Sequence, residues 1–437
     1  MLLDLAYLVV LAVLSPWLAW RACATGRYRR GLAAKLLGHV GFTNPGREPV
    51  AWFHAVSVGE VNLLGTLVPA FRARHPDWVV VVSSTTDTGL AAARARFPDL
   101  AVVAWPFDFS WAVAAALDAV RPALVVLTES ELWPNFLRAA KRRGMPVVLV
   151  NARMSPRSFR RLSRIAGPAR RLLFANVARF AVQEEEYTER FRRLGVPAAK
   201  LVITGSVKYD GAAGDRDGTK TRQLAALLGL PVSASAPVVL VAGSTHAPEE
   251  MVVLVSFARL RSRFPNLRLV LVPRHPDRFE EVARLVEQSG LPSARRSRIV
   301  EPLAEMPAVV LLDTVGELGA AWGLADVGFT GGSLDGRRGG QSMIEPAGYG
   351  VACVFGPHVW NFKDAARRLV EVGGATMIAD ATELDGALAS LLADPGLRER
   401  TGAAARALVA RQQGATARTL DAIDGVLATG RFTRQAG

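Results

Sequence analysis

The stretch VGFTGGSLDGRRGGQSMIEPAGYGVACVFGP, residues 327–357, carries the clearest fold signal in this 437-residue chain. An apolar run at 327–330 leads into a loop with five glycines, and a short helix opened by Ser342 and Glu345 precedes a second apolar run at 351–355. Glycines at a strand end let a ligand approach the backbone, and the free N–H groups of a following helix attract anions. Because Glu345 would repel phosphate, we expect it to accept hydrogen bonds from sugar hydroxyls. The stretch predicts a site for a phosphate-bearing ligand, although an ordinary strand-to-helix turn has the same spacing.

Composition narrows the class of protein. Hydrophobic residues make up 50% of the chain and charged residues 21%, which excludes a disordered chain, and the length favours two domains. Lys and Arg outnumber Asp and Glu by 53 to 39, so the formal charge of +14 favours a membrane, nucleotide or nucleic-acid partner. Because zinc, helix-turn-helix and RNA-binding aromatic signatures are missing, we expect no nucleic acid. Cys23 and Cys353 support neither a disulfide framework nor a Cys-based metal site.

The amino-terminal residues 2–20 are apolar apart from Asp4, Tyr7, Ser15 and Pro16. This length is near the lower limit of about 17–25 residues for a membrane-spanning helix. Basic residues, which mark the cytoplasmic side, follow the run at Arg21, Arg27, Arg29, Arg30 and Lys35. We therefore expect residues 1–22 to form an uncleaved membrane anchor or interfacial helix on the cytoplasmic face of the inner membrane. A cleaved signal peptide is the main alternative, but no basic residue precedes the run. A buried first helix also fits.

From residue 50 onward, apolar strand runs alternate with amphipathic helical patterns, which predicts parallel sheets covered by helices on both faces. A segment rich in Gly, Asp, Ser and Ala interrupts the pattern at 211–236. We predict an α/β fold with two doubly wound, Rossmann-like domains facing a cleft: residues 23–210, a linker at 211–236, and residues 237–437, whose terminal helices can cross back to the first domain. The predicted strands are 50–54, 78–83, 101–105, 123–127, 147–150, 180–183, 238–242, 267–272, 309–312, 327–330 and 351–355.

Ligands of doubly wound domains bind at the carboxyl ends of the strands, so the loops there are the candidate site. Glu60 begins a helix after the first strand, where it is either a general base or a charge favoured by the helix dipole. Glu129 and Glu131 follow a later strand, and one of them can cap the helix entered after Pro134. Lys208 lies in a similar loop, although most lysines are solvated surface charges.

In the second half, Arg274 follows an apolar strand and precedes a helix that begins at Pro276. A guanidinium beside a helix amino terminus is suited to clamp a phosphate, and a surface arginine is the alternative. The loop at 313–317 has the same placement, strand end before helix start, although most such loops are only connectors.

Eight short motifs occur in a fixed order along the chain, and together they closely resemble the 3-deoxy-D-manno-octulosonic acid (Kdo) transferases of lipopolysaccharide synthesis. The resemblance extends over nearly the whole chain, including its apolar start. The motifs are HAVSVGE at 54–60, TTDTG at 85–89, ESELWPN at 129–135, VNAR at 150–153, TGSVKYD at 204–210, STH at 244–246, VPRHP at 272–276 and FGPH at 355–358.

The resemblance implies an inverting GT-B glycosyltransferase that moves Kdo from CMP-Kdo to a lipid A precursor, lipid IVA, with no metal or other cofactor in the transfer. Glu60 falls on the proton acceptor of the family, and Glu129 and Lys208 fall on residues that stabilise the transition state. An alternative is another GT-B transferase with a different nucleotide sugar or lipid acceptor. The CMP-binding segments fall on Pro273, Arg274, Val315, Gly316, Glu317, Ser342, Met343, Ile344 and Glu345.

We expect Glu60 to be partly desolvated, with Lys208 or Arg274 opposite it. Two motifs depart from the family pattern: the usual His-Asn-Pro-Leu before Glu345 is Gln-Ser-Met-Ile here, and Asp87 replaces a proline. These changes concern the nucleotide contacts rather than the reaction class.

A phosphorylated, acylated acceptor would explain both an apolar start and a basic face. Arg157, Arg160, Arg161 and Arg164 recur at helical spacing, as in a surface that meets anionic inner-membrane lipids. A solvated basic helix has the same pattern.

Overall fold

The computed structural model describes residues 2–25, 32–44, 46, 48–212, 214–230 and 237–435. The chain divides into two compact units, the first made of Met1–Asp210 with Gln413–Gly437 and the second of Gly211–Gln412. Each unit contains one seven-stranded sheet within the described residues, and every neighbouring strand pair is parallel. The α/β class with two parallel-sheet units is therefore confirmed.

The strands of the first unit are β1 (Val50–Ala55), β2 (Val79–Ser84), β3 (Ala101–Ala104), β4 (Leu124–Thr128), β5 (Val147–Ala152), β6 (Arg179–Val182) and β7 (Leu201–Ile203). Their order in the sheet is β3-β2-β1-β4-β5-β6-β7. The direction of winding reverses between β1 and β4, which makes the crevice at their carboxyl ends the expected ligand position of a doubly wound sheet.

Helices cover both faces of this sheet. Along β1, Val50 and Trp52 pack on one face while Phe53 and Ala55 pack on the other, and all four are fully buried. This burial of both faces explains why the strands read as continuous apolar runs. The helices are α1 (Leu2–Thr25), α2 (Leu32–Leu37), α3 (Val58–Arg74), α4 (Asp87–Arg96), α5 (Ser110–Val120), α6 (Pro134–Arg142), α7 (Pro156–Ser163), α8 (Ala166–Leu172), α9 (Glu185–Arg193) and α18 (Ala415–Gln435).

The second unit repeats the plan with the strand order β10-β11-β9-β8-β12-β13-β14. Its strands are β8 (Val238–Thr245), β9 (Leu267–Pro273), β10 (Ser293–Arg295), β11 (Val309–Leu311), β12 (Val327–Thr330), β13 (Ala352–Phe355) and β14 (Ala375–Met377). Its helices are α10 (Thr219–Leu227), α11 (Glu249–Arg263), α12 (Phe279–Gln288), α13 (Leu318–Leu324), α14 (Ile344–Gly348), α15 (Lys363–Glu371), α16 (Leu384–Ala393) and α17 (Pro395–Gln412).

All eleven predicted strands are present, and the three that the sequence did not reveal share one property. Strands β7, β10 and β14 each have three residues and lie at a sheet edge. An edge strand of this length is partly exposed and carries too few residues for a periodic signal.

The segment at 211–236, interpreted from sequence as a linker, contains α10, whose Leu224 is buried in the second unit; residues 231–236 lie outside the described residues. Helix α18 returns to the first unit. Leu420 and Ile423 are buried there with Phe71 of α3, and the Asp210 carboxylate accepts hydrogen bonds from the N–H groups of Gly414, at 2.7 Å, and Thr416, at 2.5 Å.

Helix α1 packs on the first unit through a polar contact. The buried Asp4 carboxylate accepts hydrogen bonds from the backbone N–H of Ser110, at 2.7 Å, and from the Asn135 amide, at 3.1 Å. The Tyr7 hydroxyl donates to Asp108 Oδ2 at 2.9 Å. Within the described part of the chain, no helix has the length and apolar character needed to cross a bilayer. The side chains of Arg21, Arg27, Arg29 and Arg30 lie outside the described residues, whereas Lys35 belongs to α2.

Candidate functional site

Glu60 lies at the reversal point of the first sheet, directly after β1. Ser57 caps α3, so the helix begins at Val58, two residues before the predicted start. Glu60 Oε2 accepts hydrogen bonds from the Val56 N–H at 3.0 Å and the Thr128 hydroxyl at 2.5 Å, while Oε1 contacts the Ser57 hydroxyl at 3.1 Å. Three donors therefore fix the orientation of this half-buried carboxylate, and Oε1 keeps capacity to accept a further proton.

Glu129 follows β4, the neighbour of β1, and belongs to an ion cluster. Its carboxylate is 2.8 Å from Lys208 Nζ and 2.7 Å from Arg153 Nε, and the residue is only 5% exposed. Burial alone would raise the pKa of Glu129, but Lys208 and Arg153 together hold it below its ordinary value. Because one carboxylate faces two cations, this cluster carries net positive charge.

Lys208 forms an ion pair with Glu129. Buried Glu129 needs a charge partner, whereas the oxygens of Glu60 already accept hydrogen bonds from neutral donors. That Lys208 lies across from Glu60 stays a prediction. The expected alternative partner of Glu60, Arg274, belongs to the second unit.

The backbone around this cluster is strained. Glu129 has φ 54° and Asn151 has φ 52°, the left-handed region that non-glycine residues avoid. The Asn151 amide contacts Glu129 Oε1 at 3.5 Å, and its carbonyl oxygen accepts a hydrogen bond from the Val207 N–H at 3.1 Å. Strain of this kind is maintained where surrounding contacts hold a side chain in a required direction.

Glu131 is the third carboxyl group at this edge. Burial, reinforced by the negative charges of Glu60 and Glu129, raises its pKa to about 7. In the described residues its side chain has no ion pair or hydrogen bond, unlike those of Glu60 and Glu129. A carboxyl group with this pKa is partly protonated at neutral pH.

The prediction that Glu129 or Glu131 caps α6 is wrong. Asp108, distant in sequence, accepts hydrogen bonds from the N–H groups of Asn135, at 3.0 Å, and Phe136, at 2.8 Å. Burial nevertheless raises the pKa of Asp108 to about 6, since Tyr7 and the two N–H groups only partly compensate. Glu129 and Glu131 therefore do not cap α6 and can have other roles.

In the second unit, the corresponding edge is rich in cations and glycine. Arg274 follows β9, and its backbone N–H donates to Thr245 O at 3.0 Å. Arg278, one turn further on, is engaged by Glu250 at 2.5 Å and Glu281 at 2.8 Å. The helix predicted at Pro276 begins with one turn of 3₁₀ helix, Pro276–Arg278, before α12.

The glycine-rich loop after β12 is organised by a carboxylate that sequence reasoning missed. Glu249 is 1% exposed and accepts hydrogen bonds from the N–H groups of Gly332, Ser333 and Leu334 at 2.6, 2.8 and 3.1 Å. A Cβ atom at Gly331 would lie 2.6 Å from Ser244 O, so only glycine allows this approach. No local motif predicts the contact, because Glu249 and the loop are more than 80 residues apart.

The remaining predicted CMP-binding residues lie in loops after β9, β11 and β12, which are close neighbours in the sheet. Pro273 ends β9, and Gly316 has φ 93° beside the exposed Val315, while Glu317 is paired with Arg296 at 3.0 Å. The loop after β12 continues into Ser342, which is partly exposed, and into Met343 and Ile344, which are buried.

Glu345 lies in the first turn of α14, which begins at Ile344 without a side-chain cap. The residue is exposed to solvent. Desolvation by the neighbouring protein raises the pKa of Glu345, and the positive charge of Arg274 counteracts part of this rise.

Several contributors to the site were not singled out from sequence. Arg153 lies in a motif that was recognised, but its pairing with Glu129 depends on the fold. No sequence pattern predicted a role for Thr128 or Gln341 in the site. Asp87 lies in the first turn of α4, with Lys35 Nζ 3.8 Å away, so its charge is partly balanced. Within the described ranges, no group of three or more His, Cys, Asp or Glu residues is arranged to hold a metal ion.

Comparison with known proteins gives consistent matches. The family model of 3-deoxy-D-manno-octulosonic-acid transferase (kdotransferase) matches residues 29–211. The 3-deoxy-D-manno-octulosonic acid transferase of Bordetella pertussis is 36% identical over 96% of this chain and 98% of its own length. That of Haemophilus influenzae is 33% identical over 96% and 94%. Among solved structures, UDP-GlcNAc 2-epimerase from Neisseria meningitidis has a TM-score of 0.55 at 12% identity, covering 87% of this chain and all of that one, which shows a shared fold.

Proposed function

This chain belongs to the Kdo transferase family, and on that premise we propose that it moves Kdo from CMP-Kdo to a lipid A precursor, lipid IVA, as an inverting GT-B glycosyltransferase. The observation that carries the proposal is the similarity to the Bordetella pertussis transferase over nearly the full length of both chains. We assign acceptor binding to the first unit and nucleotide binding to the second.

In the proposed reaction, Glu60 takes the proton of the acceptor hydroxyl while the hydroxyl oxygen forms a bond to the anomeric carbon of Kdo. The bond between that carbon and the phosphate oxygen breaks, and its electron pair leaves with CMP. Attack on the face opposite the leaving group inverts the configuration. Supporting this role, Glu60 is held at the reversal point of the sheet with Oε1 able to accept a proton.

The charge that develops on the departing phosphate needs a positive counterpart. The cluster of Glu129, Lys208 and Arg153 has net positive charge and low solvent exposure around its carboxylate, so we assign it to transition-state stabilisation. Arg274 is assigned to the phosphate and Glu345 to the ribose. We expect the transfer to need no metal or other cofactor.

We also propose that the protein works at the cytoplasmic face of the inner membrane, attached through α1. Asp4 and Tyr7 hold one side of this helix on the first unit. The other side carries large apolar residues that are 60%, 56% and 73% exposed, Leu5, Val9 and Val13, whose spacing places them on one face. An apolar helix face of this kind is suited to lie in the headgroup region of a bilayer.

Helix α7 gives a second, electrostatic contribution to membrane attachment. It buries no residue, and Arg157, Arg160, Arg161 and the following Arg164 are all exposed. Anionic inner-membrane lipids attract such a surface, with about 1 kcal/mol for each basic residue near the membrane. No nucleic-acid partner is proposed.

The test is mass spectrometry of the product made by the full-length protein from CMP-Kdo and tetraacyl lipid A precursor. We expect a product heavier by one or more Kdo units. Parallel reactions with other nucleotide sugars address the alternative, another GT-B transferase. Transfer from a different nucleotide sugar, with none from CMP-Kdo, would contradict the proposed donor.

A further inference from the structure

The two arginines that follow β9 are in different electrostatic situations. Arg278 is saturated, because its terminal nitrogens donate to both oxygens of Glu250 and to Glu281. Arg274 has no carboxylate partner within the described residues, and its guanidinium makes one hydrogen bond there, from Nε to Gln341 Oε1 at 3.3 Å. The two terminal nitrogens of Arg274 therefore remain available for an oxyanion in the forked geometry that guanidinium groups favour.

Gln341 connects Arg274 to His246, which directly follows β8, the neighbour of β9 in the sheet. While Gln341 Oε1 accepts from Arg274, Gln341 Nε2 lies 3.2 Å from His246 Nε2. An amide nitrogen can only donate, so His246 Nε2 must accept, and the ring proton is placed on Nδ1. The hydrogen bonds that join Arg274 to His246 through Gln341, here called the bridge, therefore require a neutral imidazole at His246.

The surroundings of His246 keep its ring neutral. His246 is 2% exposed, and burial, together with the positive charges of Arg338, His275, Arg274 and Arg278, lowers its pKa to about 4. The bridge is therefore intact throughout the neutral pH range. His246 Nδ1 is buried without a hydrogen-bond partner among the described residues. No donor there requires Nδ1 to accept a hydrogen bond, so none opposes the tautomer with its proton on Nδ1.

The backbone holds Gln341 in place. Its N–H donates to Gly331 O at 3.0 Å, and the preceding Gly340 N–H donates to Gly332 O at 2.7 Å. A Cβ atom at Gly332, whose φ is 68°, would lie 3.3 Å from Gln341 Cγ. The amide is therefore presented from a loop that Glu249 fixes, and it has little freedom to leave Arg274.

We propose that Gln341 is a positioning residue that orients Arg274, so that the terminal guanidinium nitrogens meet the phosphate of the cytidine nucleotide. This inference rests on the proposed function and deepens it by naming the residue that prepares the phosphate contact. The chain has glutamine where the family pattern usually has histidine, so a group with fixed donor and acceptor atoms replaces one that titrates.

The test measures binding of CMP and of cytidine to full-length wild type, Gln341→Ala, Arg274→Ala and the double variant by calorimetry, with cytidine measured by competition if it binds weakly. Gln288→Ala is the control, because Gln288 is exposed at the end of α12 in the same unit. Because Gln341 acts through Arg274 and is assigned no phosphate contact of its own, Gln341→Ala should weaken CMP binding only roughly 2- to 10-fold. Cytidine lacks the phosphate, so its affinity should stay within about 2-fold of wild type.

The double variant should bind CMP no more weakly than Arg274→Ala alone, because Gln341 acts through Arg274. Equal loss of CMP and cytidine affinity in Gln341→Ala would indicate a general folding role and overturn the inference, as would unchanged CMP affinity. If wild type binds neither compound, the proposed function itself fails. Wild-type CMP binding with an unaffected Gln341→Ala variant rejects only the positioning role.

Discussion

The two sheets of this protein have the same number of parallel strands, yet the loops that follow their central strands carry different side chains. In the first unit, the loops after β1 and β4 present three carboxyl groups, Glu60, Glu129 and Glu131. In the second unit, the loops after β8, β9 and β12 present mainly cations and glycine backbone, including Arg274 and Arg338. The sheet thus determines where side chains emerge, and the loop sequence determines whether the edge receives a proton or binds an anion.

The backbone shows the same contrast. Around the acidic edge, the residues with positive φ are Glu129 and Asn151, whose side chains contact each other. In the loop after β12 they are Gly332, Gly336, Gly339 and Gly340, which have no side chain to position, although Ser244 at the end of β8 also has φ 55°. The first edge holds charged and amide side chains on strained residues, whereas the loop after β12 makes its turns with glycine.

The largest expected effect comes from removing the carboxylate to which we assign proton acceptance, at the acidic edge. Glu60→Gln keeps the size of the side chain but cannot take a proton, so turnover should fall on the order of 10²- to 10⁴-fold. CMP affinity should be nearly unchanged, because the substitution leaves the second unit intact. Transfer assays and calorimetry measure the two quantities, with Glu189→Gln on the exposed face of α9 as the control. Near-normal turnover would assign the base to another carboxylate, Glu129 first.

Substitutions at the carboxyl edge of the second sheet, here called the cationic edge, should instead weaken the binding of CMP. Arg274→Ala should weaken CMP binding by about 1.5–3 kcal/mol, the range for a charged hydrogen bond. Glu345→Ala should weaken it less, because a ribose contact involves a neutral partner. Calorimetry with CMP tests both, and Arg259→Ala, which removes an exposed arginine paired with Asp385, is the control. Unchanged affinity in both site variants would refute the nucleotide placement.

A smaller effect is expected on lipid binding, which we assign to α1 of the first unit and not to the second unit. Val9→Ser removes an apolar side chain from the exposed face of α1, and loss of about 1 kcal/mol of apolar burial should reduce vesicle binding several-fold. Val370→Ser, at an exposed valine of the second unit, should have no effect. Co-sedimentation with anionic phospholipid vesicles measures the difference. Equal binding of both variants and wild type would remove α1 from the lipid contact.

The last expected effect is a pH dependence of stability at the acidic edge. The pKa of Glu131 is raised from its ordinary 4.5 to about 7, so the folded state binds more protons than the unfolded state between these values. The free energy of unfolding contributed by this group therefore falls as pH rises from 4.5 to 7. Glu131→Gln should melt at a higher temperature than wild type at pH 8 and show a smaller difference at pH 5. A difference in melting temperature that is the same at both pH values would contradict the raised pKa of Glu131.

The fold could be predicted from sequence to a large extent, because buried parallel strands have an unmistakable composition. All strands except three short ones at the sheet edges were identified, and the α/β class followed from their alternation with helices. The candidate residues could also be proposed from sequence, since Glu129 and Arg274 directly follow strands and Glu60 lies in the first turn of the helix after β1. Their partners were not, because Thr128, Arg153 and Glu249 reach the site from distant positions, and burial, which decides that Lys208 pairs with Glu129, is a property of the folded chain.

The return of α18 to the first unit has a consequence for the order of synthesis. Residues 211–412 form a continuous piece, so the second unit is complete on the ribosome before residues 413–437 have been made. The surface of the first unit around Phe71 stays uncovered until then, because Leu420 and Ile423, which bury it, are translated after the whole second unit. Released chains that end at residue 412 should therefore contain a protease-resistant second unit beside an unfinished first unit, which is the reverse of the amino-to-carboxyl order in which domains usually mature.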